Sequence, residues 1–131
     1  MKVYFILLFC LISMAAFPQL KTDSEKITET ALNYMEGWYN GDTLRMEKAL
    51  HPDLVKSTPV WVEKTKGTVI NTLSKSYLIE TTKMWLGKKP GGEIPKIEVK
   101  ILDMYDNIAT VKVSSQDFTD YLHLTRSKGQ W

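Results

Sequence analysis

Lys96-Ile97-Glu98-Val99-Lys100-Ile101-Leu102-Asp103-Met104-Tyr105-Asp106-Asn107-Ile108-Ala109-Thr110-Val111-Lys112-Val113 is the stretch that decides the fold class. Ile97, Val99 and Ile101 alternate with Lys96, Glu98 and Lys100, while Ala109, Val111 and Val113 alternate with Thr110 and Lys112. A period of two with one oily and one wet face is the pattern of an antiparallel strand packed on one side. A two-residue turn at Asp106-Asn107 would set Ile101 against Lys112. A three-residue loop, Tyr105-Asp106-Asn107, sets Ile101 opposite Val111 and Val99 opposite Val113, so the longer loop is expected. Asn107 then takes the left-handed third position, which asparagine tolerates.

Working outward, Phe118 to Arg126 supplies another strand, and Ser127-Lys128-Gly129 turns the chain again into Gln130-Trp131, the first step of a further strand. Upstream, Lys88-Lys89-Pro90-Gly91-Gly92 is a breaker. Before it, Leu73, Tyr77, Leu78, Thr81 and Trp85 recur at helical spacing, which predicts a helix from about Asn71 to Leu86. Leu54 to Glu63 is rich in β-branched and aromatic residues but contains Pro59, so it suits an edge strand, and Gly67 marks a turn. Thr22 and Glu25 have capping-box spacing ahead of Ile27, Ala31, Tyr34, Met35 and Trp38, which line one helical face as far as Gly41. Asp42 can cap a second helix from Thr43 to Leu50, closed by His51-Pro52.

The chain has 131 residues, 17 Lys and Arg against 15 Asp and Glu, and one cysteine. Residues 1–19 read as a cleaved signal peptide: Lys2, then an apolar run from Val3 to Ile12, then Ser13-Met14-Ala15-Ala16. The run is too short to span a bilayer, so an exported, periplasmic or secreted bacterial protein is expected, with no membrane attachment after cleavage. Residues 20–131 then form one domain. Cys10 follows Phe9, too bulky for a lipid-attachment box, and its loss with the leader excludes disulfides, thiolate metal sites and cysteine nucleophiles. Removing Lys2 lowers the net charge from +2 to +1, a balance with no footprint for nucleic acid.

Three stretches carry a likeness: Tyr34-Met35-Glu36-Gly37-Trp38-Tyr39-Asn40-Gly41-Asp42, then Ala49-Leu50-His51-Pro52-Asp53-Leu54-Val55-Lys56, and Asp120-Tyr121-Leu122-His123-Leu124 with Gly129-Gln130-Trp131. With the order of elements, they resemble the SnoaL-like, putative lumazine-binding branch of the nuclear-transport-factor-2-like superfamily. The resemblance implies an α+β cone, with three helices packed on a curled antiparallel sheet around a pocket, and a homodimer formed through the outer sheet face. It also suggests an arginine where Ser57 stands, which undercuts an anion site built from a Lys-Arg pair. Members continue past the Gly-x-Trp into a final strand, so on this resemblance the C-terminal strand is expected to be truncated. The fold hosts isomerases, dehydratases, ligand binders and partner-binding modules alike.

Candidate site residues are polar or aromatic groups facing the core. Asp120 shares a strand face with Phe118, Leu122 and Leu124, and a carboxylate among apolar neighbours is how a general base is made, unless a hydroxyl or amide engages it. Asp103 is in phase with Ile97, Val99 and Ile101, but lies beside the turn. His123 points away from Asp120, toward the outer face. His51 ends a helix, where it caps, though the resemblance puts it near the pocket rim. Tyr34, Trp38, Trp61, Tyr77 and Trp85 are expected to face inward, where several aromatic rings suit a flat ligand. No nucleophile elbow, phosphate loop or metal-ligand spacing occurs, and neither metal nor cofactor is expected. The expected function is binding of a small apolar or aromatic ligand through Tyr34, Trp38, Trp61, Tyr77 and Asp120. The alternatives are an isomerase or dehydratase with Asp120 as base and Tyr34 or His51 as donor, and a partner-binding module without ligand.

Overall fold

Thr22 opens the first helix with a reciprocal pair of bonds, its hydroxyl accepting from the Glu25 N–H and the Glu25 carboxylate accepting from the Thr22 N–H. The computed structural model describes residues 21–89 and 91–131, so the expected signal peptide lies outside the described residues. Helix α1 runs Asp23–Asn40 and ends on Gly41 in the left-handed conformation, φ 66°. Asp42 caps α2, Thr43–Ala49, by accepting from the Arg45 N–H. Strand β1 covers Val55–Val62 and pairs antiparallel with β2, Gly67–Ser74, across a short 3-10 turn at Glu63–Thr65.

Sequence spacing missed β2. The helix expected over 71–86 is α3, Lys75–Lys83, capped by the Ser74 hydroxyl, and residues 71–74 belong to the strand. Thr68, Val69, Ile70 and Thr72 are β-branched, and pairing with β1 satisfies a backbone that has no cap before Ser74. Helix α3 closes with the Leu86 N–H on the Thr81 carbonyl and the Trp85 N–H on the Thr82 carbonyl. Trp85 therefore holds the left-handed position, φ 60°, that glycine usually fills.

The second sheet has the order β3-β4-β5, with β3 Glu98–Tyr105, β4 Ile108–Ser114 and β5 Thr119–Thr125, all antiparallel. Val99 faces Val113 and Ile101 faces Val111, the expected register, but it is reached by a different route. Tyr105 pairs with Ile108, so the turn is the two-residue Asp106-Asn107 with Asp106, φ 49°, in the left-handed region. Leu102 is the extra residue of a bulge between Ile101 and Asp103, and that one-residue insertion returns apolar side chains to apolar partners. The bulge also reverses the phase beyond it. Asp103 pairs with Thr110, whose other neighbour is His123, so Asp103 lies on the outer face and off the line of Val99 and Ile101.

The inner face of this sheet meets α1. Tyr34, Met35, Tyr39, Met46, Leu50, Leu78 and Val113 form one core cluster, and Ile27, Ala31, Ala109 and Val111 another. The architecture is α+β and of the nuclear-transport-factor-2-like type: the described residues form three α-helices and five antiparallel strands, the strands in two sheets that share no ladder. No described helix is long and apolar enough to cross a membrane.

Candidate functional site

Strand parity places Asp120 on the inner face, opposite the fully buried Val113 and two residues from Phe118. The same parity on β1 turns Lys56 inward, opposite Leu73. The two side chains meet between the sheets, with Lys56 Nζ 2.6 Å from Asp120 Oδ2. Tyr34, one helical turn before Trp38 on α1, joins them: its hydroxyl donates to the same Oδ2 at 2.6 Å and accepts from Lys56 Nζ at 2.7 Å. The ammonium also lies 5.4 Å from the Tyr34 ring centroid and 5.3 Å from that of Phe118. The side chains of Lys56 and Asp120 are 23% and 20% exposed, so the cluster is sheltered yet reachable.

Burial and the adjacent Asp120 carboxylate push the Tyr34 phenol well above its ordinary value of 10.0. The ring hydroxyl therefore stays a donor, and Asp120 is an acid already engaged rather than alone in an apolar hollow. Lys56 is the functional residue that sequence reasoning passed over. Its signal was parity, since Lys56, Thr58 and Val62 are the β1 positions turned toward the core, and an inward Asp120 calls for a cation.

The other candidates divide. Trp38 is half-buried and packs against the core cluster that contains Tyr34. A Cβ on Gly87 would overlap the Trp38 indole and its carbonyl, so the segment after α3 lies directly on that ring. Beyond it, Lys89 Nζ bonds Asp117 Oδ1 at 2.6 Å, while Asp117 Oδ2 accepts from the Tyr39 hydroxyl at 2.8 Å. The Lys89 and Tyr39 bonds hold the Asp117 carboxyl below its ordinary 3.8. Tyr77 lines a cavity of about 360 Å³ with Leu54, Val55, Asn71 and Leu73, although the residue itself is 54% exposed. Leu54 and Leu73 also pack on the core cluster of Tyr34.

Trp61 is not among the inward rings. It falls on the opposite parity of β1 from Lys56, is 58% exposed, and its indole N–H donates to Glu63 at 2.8 Å. Trp85 is half-exposed, its ring over Gly41 and under the Lys88 ammonium at 3.8 Å. His51 lies in the α2–β1 turn, where its Nδ1 accepts from the Asp53 N–H at 3.2 Å, and it makes no bond to the Asp120 cluster. His123 faces outward beside Thr110, 3.3 Å from its hydroxyl. Among the described residues no group of three or more His, Cys, Asp or Glu side chains could hold a metal ion.

Residues 22–131 match the family described as putative lumazine-binding. The chain belongs to that family. The match begins at the Thr22 cap and ends at Trp131, so it takes in the three α-helices and five strands of the described residues and every member of the Tyr34, Lys56 and Asp120 cluster. No curated protein and no solved structure is significantly similar to the chain. Membership of this lumazine-binding family points to a small molecule as the ligand.

Proposed function

We propose that this chain is an exported protein that binds a small, flat, ring-bearing molecule beside Tyr34, Lys56 and Asp120. The observation that carries the reading is the cluster itself: a partly exposed Lys56 and Asp120 joined to the buried Tyr34 hydroxyl, set beside the Phe118 ring and continuous with the packing around Trp38. Ligand sites commonly combine apolar walls with a few fixed polar groups. Binding is favoured over turnover because Asp120 Oδ2 already accepts two hydrogen bonds and His51 is engaged with Asp53 instead. The test is a thermal-shift screen of the mature protein against a library of planar heterocycles. At least one member should raise the midpoint by several degrees, since a ligand at about a hundred times its Kd stabilises by about 2.7 kcal/mol. No shift from any member would remove the reading.

The outer face of the β3-β4-β5 sheet favours a homodimer in addition. Lys100, Lys112 and Tyr121 form one row across it and Tyr105, Ile108 and Thr125 another, with Tyr105, Ile108 and Tyr121 all largely exposed. A sedimentation series across concentration should show a dimer that Tyr121→Glu dissociates. Export is tested by the mass of the mature N-terminus after expression in a bacterial host.

A further inference from the structure

Both bonds to Asp120 from the protein fall on a single oxygen. Lys56 and Tyr34 share Oδ2, and among the described residues no group bonds Oδ1. Among the described residues no buried side-chain oxygen or nitrogen lacks a partner, so an Oδ1 without one is not sealed in but touches solvent. Lys56 has capacity to spare as well: an ammonium carries three N–H donors, and two are used, on Tyr34 Oη and Asp120 Oδ2. The site thus presents one acceptor and one donor side by side, on groups whose charges cancel. A ligand carboxylate would meet Asp120 and a ligand amine would meet Lys56, each a like-charge contact that partial burial makes costly. A neutral group that offers a donor next to an acceptor satisfies both without net charge.

We propose, resting on the binding reading above, that the ligand is recognised through a lactam or imide edge, its ring N–H donating to Asp120 Oδ1 and the neighbouring ring C=O accepting from Lys56 Nζ. The Lys56 ammonium and the Tyr34 hydroxyl both hold Oδ2, so the Lys56 bond alone keeps Oδ1 toward the ligand. The ring of Phe118, partly buried and 5.3 Å from the ammonium, supplies apolar surface for a planar ring, with the buried Tyr34 ring behind it. Rings with this edge include the pteridinediones, of which lumazine is one.

Lumazine and its analogue with both ring N–H groups methylated separate this inference from the one it rests on. Titration calorimetry of the mature protein in mildly acidic buffer, where the imide keeps its proton, should give lumazine an affinity at least about tenfold above the methylated ring, the effect of one charge-assisted hydrogen bond. Asp120→Asn should erase that preference, because the amide turns a donor outward. Tyr34→Phe should keep it, because Lys56 and Asp120 remain paired. Loss of the preference in Tyr34→Phe would overturn the assignment to Asp120. Equal binding of the two rings by the unaltered protein, or binding confined to rings with no N–H beside a carbonyl, would overturn the edge while leaving a ring-binding pocket. Failure of these and of every heterocycle in the library would remove the pocket itself. The two-ligand comparison needs no variant, so it decides even if Asp120→Asn does not fold.

Discussion

At the scale of single residues, the meeting of Lys56, Tyr34 and Asp120 contributes to stability and, on the proposed binding, to specificity. Each charge is about one-fifth exposed, so removing one partner should cost less than the roughly 3–5 kcal/mol of a fully buried pair, about 1–3 kcal/mol. Lys56→Met and Asp120→Leu should each lower the urea midpoint, while the double variant should lower it by less than the sum, because no charge is left without its counterpart. A strictly additive cycle would mean that the pair is solvated and contributes nothing. The phenols give a separate signature. Burial is the first cause for both Tyr34 and Tyr39, each raised above 10.0 in the fold. A raised phenol leaves stability intact below the unfolded value of 10.0 and erodes it as pH climbs toward the folded one. An alkaline titration followed by phenolate absorbance should therefore show Tyr34 and Tyr39 ionising later than the other tyrosines, together with loss of the near-ultraviolet circular dichroism signal. All phenols ionising together while the fold persists would contradict the burial of these two.

At the scale of elements, the segment after α3 is held by close fit rather than by regular structure. Gly87 lies so near the Trp38 indole that Gly87→Ala should displace the loop, lower the midpoint by several degrees and shift Trp38 emission to longer wavelength. Unchanged emission would show that the loop yields without uncovering the ring. Elements differ in how far residue patterns reveal them. Alternation in β3, β4 and β5 is legible because each has one wet face, and the register of Val99 on Val113 follows from matching oil to oil. The bulge at Leu102 is not legible, since inserting one residue in the strand and adding one to the turn give the same pairing. β2 is hidden for another reason: the helical spacing from Leu73 onward runs across the Ser74 cap, and only the Lys56 to Leu73 pairing of the neighbouring strand separates the two elements. For the site, Asp120 and Tyr34 could be found from their own faces. Lys56 is marked only by its parity on β1, because its partner lies 64 residues away and nothing local shows the contact.

At the scale of the whole molecule, the two sheets are separate ladders joined on the inside by a charge pair, and α1 spans the larger one. Trp131 adds to that span. Its indole donates to Asp23, Arg126 bonds the same carboxylate, and the Thr30 hydroxyl donates to the Trp131 carbonyl, so the last described residue is fastened to α1. Among the described strands, β4 is hydrogen-bonded along both sides, whereas β1, β2, β3 and β5 each keep one bonded neighbour. In deuterated buffer that difference should be written out in time. Amides of Ala109 to Val113 should retain their protons longest, and the remaining strands should lose them in a fast-slow rhythm, every second N–H already facing solvent. If β4 releases its protons no later than its neighbours, it is not the seam on which the molecule closes last.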